Sequence, residues 1–240
     1  MKNTALLNKI LTNNAQSASS ICVFDLDSTL FNVAPRTEQI LKEFAEIYNY
    51  PDLAKISVHP TDWGLREILI REGYDMSELK SENIHLHKKL IDFWTEKFFT
   101  NNYLHFDTPY LGAVHFVQTL FQKNIEVHYL TGRDVSRMGR GTKDVLLKWG
   151  FPILSDSHLH LKPHKDLDDH EFKLNWVLKF KNQKPKSEIY FFENEPVNIN
   201  AIGRVRKDIN IVYLNTTHSR KDVVKVPVYE IDHFSLAEDI

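Results

Sequence analysis

Five short apolar runs, at residues 21–24, 125–130, 159–161, 189–192 and 209–214, constrain the fold more than any other feature of the chain. They are rich in Ile, Val, Tyr and Phe and are bounded by polar or turn residues, the pattern of strands buried on both faces. Segments of helical length lie between the later runs. Residues 108–122 place Val114, Phe116, Val117, Leu120 and Phe121 at helix-compatible spacing, with Asp107 and Pro109 as the expected start. Residues 171–180 and 196–206 read the same way, the second with Pro196 in its first turn. Strands alternating with helices predict an α/β fold, a parallel sheet covered on both sides.

The interval 32–105 breaks this alternation. It holds amphipathic patterns at 38–48, 65–72 and 84–99 but no comparable strand run. A structureless loop of that length does not suit a compact domain, so the interval reads as an inserted helical subdomain. The 240 residues, too many for a typical single domain and too few for two, accommodate one core and such an insertion. The aromatic stripe Phe93, Trp94, Phe98 and Phe99 reads as core rather than as a pocket wall. Residues 1–20 read as an exposed N-terminal arm with a turn or two of helix through Leu6, Leu7, Ile10 and Leu11. Lys2 and the apolar residues after it begin like a signal peptide, but Asn8 and Lys9 interrupt the run short of about 7 residues. The small residues of 15–20 could mimic a cleavage site.

Thirty Lys and Arg against 32 Asp and Glu leave a formal charge of -2, so no excess positive charge advertises nucleic acid or an anionic membrane surface. No stretch approaches the roughly 18 apolar residues that span a bilayer. The single Cys22 lies inside an apolar run and forms no intrachain disulfide, which favours a reducing compartment, the cytoplasm.

The chemistry concentrates where the first run ends, in Phe24-Asp25-Leu26-Asp27-Ser28-Thr29-Leu30-Phe31. Ligands of a parallel sheet bind beyond the carboxyl ends of its strands, so Asp25 and Asp27 are expected where a substrate docks. Two carboxylates this close require a cation, a shared proton or both, and Mg²⁺ is the hard ion such oxygens suit. A calcium loop of the EF-hand type fails, because its sixth position is Leu30 and its twelfth Arg36. Helix capping by the carboxylates is the bland alternative. Three further segments follow strand ends. Thr131-Gly132-Arg133 offers a hydroxyl and backbone N–H groups for a phosphate, with Gly132 allowing close approach. Lys173 can neutralise the same anion from early in a helix, and Glu193-Asn194-Glu195 offers oxygen ligands.

Together these segments, in this order, resemble the haloacid dehalogenase superfamily of phosphotransferases. The resemblance spans most of the chain outside the insertion. It implies a Rossmann-like three-layer core with strand order 5-4-1-2-3, an N-terminal arm at 1–20, a catalytic core of 21–31 and 106–240, and an α-helical cap at 32–105. It further implies that Asp25 attacks phosphorus and becomes an aspartyl-phosphate, while Asp27 protonates the leaving oxygen and then deprotonates water. Thr131, Gly132 and Lys173 would hold the phosphoryl group. Mg²⁺ would be held by Asp25, the backbone carbonyl of Asp27, Glu193 and then Asn194. Members that cleave carbon–halogen or carbon–phosphorus bonds lack the second Asp, so Asp27 points to a phosphoric monoester hydrolase. The chain departs from the usual Asp pair of the last motif, and Lys162 and Lys165 compete with Lys173 for the lysine role.

Other clusters have plainer readings. His158, His160, His164 and His170 lie beside Asp166, Asp168 and Asp169 without recognised zinc spacing and read as a solvated loop. Arg133, Arg137, Arg140 and Lys143 read as a solvated basic face, on a helix that Gly139 and Gly141 weaken. His218-Ser219-Arg220-Lys221 has no assigned role. The expected substrate is a small soluble phosphorylated metabolite, with no nucleic-acid or membrane partner. A nucleic-acid 3'-end phosphatase is the first alternative, because the layout from Thr131 to Lys173 is similar to strand-end repair domains. A catalytically silent binding protein is the second.

Overall fold

The computed structural model describes residues 2–12, 19–75 and 82–236. A six-stranded sheet, all parallel, forms the centre of the molecule. Its strands are β1 (Ser20–Phe24), β4 (Glu126–Asp134), β5 (Leu159–Lys162), β6 (Glu188–Glu193), β7 (Ile209–Leu214) and β8 (Tyr229–Ile231), in spatial order β5-β4-β1-β6-β7-β8. The five strands legible as apolar runs stand in the expected order. The sixth, β8, was missed because Tyr229 and Glu230 are exposed at the sheet edge and carry no buried pattern.

Alternation along β1 shows why its run is continuously apolar. Cys22 and Phe24 pack into one layer, while Ile21 and Val23 pack into the other. The first layer contains α5 (Ala113–Gln122) and α6 (Val135–Trp149), with Phe24 stacked on Phe192 at 4.4 Å between centroids. The second contains α7 (Asp169–Gln183) and α8 (Pro196–Val205).

Two expectations are corrected here. Residues of the N-terminal arm form a helix, α1 (Lys2–Thr12), whose Leu6, Leu7, Ile10 and Leu11 are buried in the first layer rather than exposed. The small residues 13–18 lie outside the described residues. The helix expected from 108 starts only at Ala113, because Thr108–Pro109 pairs antiparallel with Phe31–Asn32 as a short ribbon, β3 with β2. Pro109 tolerates this position on a strand with one partner.

The chain leaves and re-enters the core through that ribbon. Beyond it, α2 (Ala34–Tyr48), α3 (Leu65–Arg71) and α4 (Glu82–Phe98) pack around their own apolar cluster, including Leu41, Phe44, Ile68 and Leu90. Glycine does not break α6. Gly141 donates its N–H to Asn101 Oδ1 at 2.7 Å, and a Cβ there would lie 2.5 Å from the Asn101 carbonyl, so this close crossing requires glycine. Among the described residues, no helix is long and apolar enough to cross a membrane.

Candidate active site

The N–H of Asp25 donates to the Phe192 carbonyl at 3.0 Å, which extends the β1–β6 ladder one residue and fixes the Asp25 main chain. Its carboxylate is buried at the carboxyl end of the sheet. Lys173 Nζ donates to Asp25 Oδ1 at 2.7 Å and to Glu193 Oε2 at 2.7 Å. Lys173, the expected lysine, is itself buried, four residues after α7 opens at Asp169 behind the Asp168 cap. Lys162 turns away to Asp169 at 2.5 Å and to the Leu167 carbonyl at 2.8 Å. Burial raises Asp25 to about 7; Lys173 opposes this, and the Glu193 carboxylate adds to it. Burial alone would lower Lys173, yet its two anionic partners hold it above its ordinary range, so it stays an ammonium.

The turn after Asp25 is tight. Ser28 adopts φ 61°, and its N–H donates to the Phe31 carbonyl at 2.7 Å. This turn leaves Asp27 34% exposed and facing the same cavity as Asp25. Arg133 donates from Nε to Asp27 Oδ2 at 2.9 Å and from Nη2 to Oδ1 at 2.8 Å, and Arg36 Nη2 adds a bond to Oδ1 at 2.9 Å. Behind them, buried Asp107 accepts from both guanidiniums, at 2.8 Å from Arg36 Nε and 2.8 Å from Arg133 Nη2. Burial would raise Asp27, but the two arginines overcome it and hold the carboxyl well below the usual range. Sequence reading missed Arg36, Arg133 and Asp107 as a unit. Arg36 and Asp107 lie at the two ends of the insertion, and only the β2–β3 ribbon brings them together. Their signal was a set of charged residues flanking apolar runs, shared with many surface positions.

Several expected site residues are placed differently. Thr131 is fully buried and its hydroxyl accepts from the Arg133 N–H at 3.3 Å, whereas Gly132 lines the cavity. A Cβ at Gly132 would lie 2.5 Å from the carboxylate of Asp169, an exposed side chain that packs over the glycine. Glu193 was expected to be the direct metal ligand. Both its oxygens are already engaged: Oε1 accepts from the N–H groups of Asn194 and Glu195, each at 3.0 Å, and Oε2 from Lys173 and from Asn198 Nδ2 at 3.0 Å. It anchors Lys173. Glu195 accepts from the Ser219 N–H and hydroxyl at 2.8 and 2.7 Å, which gives Ser219 its role.

Asn194 fits a metal better. Its Oδ1 and Asp25 Oδ2 both lie 3.1 Å from Thr29 Oγ1, whose one hydrogen serves a single acceptor at a time. A carboxylate and an amide oxygen converging in this way form a hard donor set suited to Mg²⁺ with water completing its shell. Among the described residues, no group of three or more His, Cys, Asp and Glu side chains gathers as a metal site. His158 and His160 instead pack with His128, and His160 Nε2 lies 3.0 Å from His128 Nδ1. The expected basic helix face is largely paired, through Arg137 with Asp134 at 2.7 Å and Lys143 with Asp156 at 2.9 Å.

A parallel sheet with an aspartate at the end of its central strand, a buried lysine beside it and an inserted helical layer over it defines a class of fold. No family model and no curated protein matches the chain. Solved structures do. A protein of Burkholderia xenovorans classed as a haloacid dehalogenase-like hydrolase aligns with a TM-score of 0.54 at 13% identity, over 91% of this chain and 94% of that one. A haloacid dehalogenase-like family protein of Streptococcus pneumoniae gives 0.52 at 10%, over 89% and 92%. Protein Tyrosine Kinase A of Mycobacterium tuberculosis gives 0.53 at 13%, over 93% and 97%. The chain therefore has the haloacid dehalogenase-like fold. Hydrolases and a protein named as a kinase share it, so the reaction must be argued from the site.

Proposed function

We propose that the chain is a phosphoric monoester hydrolase of the haloacid dehalogenase type, acting through an aspartyl-phosphate on Asp25 toward a small soluble phosphorylated molecule. The observation that carries this reading is the buried Asp25–Lys173–Glu193 array beneath a cavity of 940 Å³, with Asp27 two residues on and facing the same space. Lys173 lowers the cost of bringing a phosphate dianion against a carboxylate. Gly132 lines the same cavity. Asp25 attacks phosphorus, the P–O bond to the organic group breaks, and water then cleaves the aspartyl-phosphate and regenerates the carboxylate.

Asp27, held ionised by Arg133 and Arg36, is set to take the proton of that water. The same clamp opposes its other expected task, protonating the leaving oxygen. Asp25, Asn194 and the Asp27 carbonyl would hold Mg²⁺. The ion supplies positive charge that offsets the phosphoryl group as it passes between oxygens.

Hydrolysis of an aryl phosphate by wild type and Asp25→Asn, with and without Mg²⁺, tests the proposal. Turnover that needs the metal and disappears with the substitution supports it. Metal binding with no turnover across a broad phosphate panel supports a silent binding protein instead.

A further inference from the structure

The floor of the cavity is charged, and Asp62, Lys162, Asp166 and Lys221 also line it, but one stretch of its wall is apolar. The inserted helices and the loop before α3 turn Val58, Pro60, Trp63, Ile68, Phe98 and Phe99 toward it. Trp94 and Phe98 are already committed: their rings stack at 4.1 Å, and the Trp94 indole N–H donates to Thr37 at 3.2 Å. Trp63 differs. It is 48% exposed on the cavity wall, and among the described residues no ring packs against it.

The loop bearing Trp63 is also fixed relative to the floor. The Trp63 N–H donates to Glu67 at 3.1 Å, and Glu67 pairs with Arg220 of the loop after β7. Thr217 of that loop donates to the Thr61 carbonyl at 3.1 Å and accepts from Asn194 Nδ2 at 2.6 Å. A loop held in this way presents the Trp63 indole on the cavity wall, a surface on which a ring can stack. A hydroxyl-rich sugar placed against this stretch would lose water there without gaining hydrogen bonds from it.

We propose that Trp63 and the apolar wall select phosphomonoesters whose organic part carries an aromatic ring system. This inference rests on the hydrolase reading above and names its substrate class. The ring stacks on the indole while the phosphate reaches Asp25, and polyol phosphates are discriminated against.

The test compares kcat/KM for 2-naphthylmethyl phosphate and glucose 6-phosphate, both esters of primary alcohols, so that leaving-group acidity is similar. The naphthyl ester is expected to lead by about tenfold or more, a difference that an apolar pocket supplies. Trp63→Ala lowers that ratio by about three- to tenfold, and Trp63→Phe restores most of it. Equal use of the two esters, or a ratio unmoved by Trp63→Ala, overturns the inference while leaving the hydrolase reading intact. If neither ester is turned over, the hydrolase reading fails, and calorimetric binding of the same two compounds to wild type and Trp63→Ala decides the selectivity. Tighter naphthyl binding that the substitution removes supports it, and equal binding overturns it.

Discussion

Arg133 grips Asp27 with two N–H bonds, one to each carboxylate oxygen, at 2.9 and 2.8 Å. A carboxyl held as an anion in this way is a poor proton donor to a departing alkoxide. The expected consequence is a steep dependence of kcat/KM on leaving-group acidity. A nitrophenyl phosphate should exceed a simple alkyl phosphate by about 100-fold or more, the scale of the general-acid assistance forgone. A flat dependence across a series of phenyl and alkyl phosphates would show that Asp27 donates a proton despite its arginines.

Arg36 is wholly buried between Asp27 and Asp107. Replacing it with Met leaves Asp107 with one cationic partner in the interior, and the expected loss of stability is about 3 to 5 kcal/mol. Lys42→Met, which breaks only the exposed pair with Glu38, should stay within about 0.5 kcal/mol. Urea unfolding of the two variants checks the contrast.

Leu7 is fully buried although it lies on the first helix. Leu7→Ala should cost about 2 to 5 kcal/mol, the range for truncating a buried leucine. An exposed arm would lose almost nothing, so thermal unfolding of this variant distinguishes the two arrangements.

Burial lowers His160 from its ordinary 6.5 to about 4, and the neighbouring His128 and His158 add to this. Between these values the unfolded chain takes up a proton that folded His160 refuses, so stability falls as pH drops from 6.5 toward 4. His160→Gln should flatten that window in chemical unfolding measured at stepped pH.

The parallel sheet was legible because its strands are buried on both faces and so read as unbroken apolar runs. Asp25 and Asp27 were legible because strand ends mark where a site forms, and Lys173 because its place early in a helix matches the family's lysine motif. What escaped depended on contacts distant in sequence. The exposed edge strand β8 lacks an apolar pattern, and the stripe of Leu6, Leu7, Ile10 and Leu11 on α1, legible as helix, carried no sign that it is buried in the core. The arginine clamp unites Arg36, Asp107 and Arg133, separated by 71 and 26 residues from one partner to the next. That both Glu193 oxygens already have their donors, while Asn194 Oδ1 shares the Thr29 hydroxyl with Asp25, is set by contacts that no spacing rule encodes.

Acid quenching during steady turnover of an aryl phosphate, followed by peptide mass analysis, tests the central claim most directly. The account predicts a phosphoryl group on the peptide that contains Asp25, absent from Asp25→Asn. Full turnover with no phosphoryl group on that peptide, or turnover retained by Asp25→Asn, would contradict it.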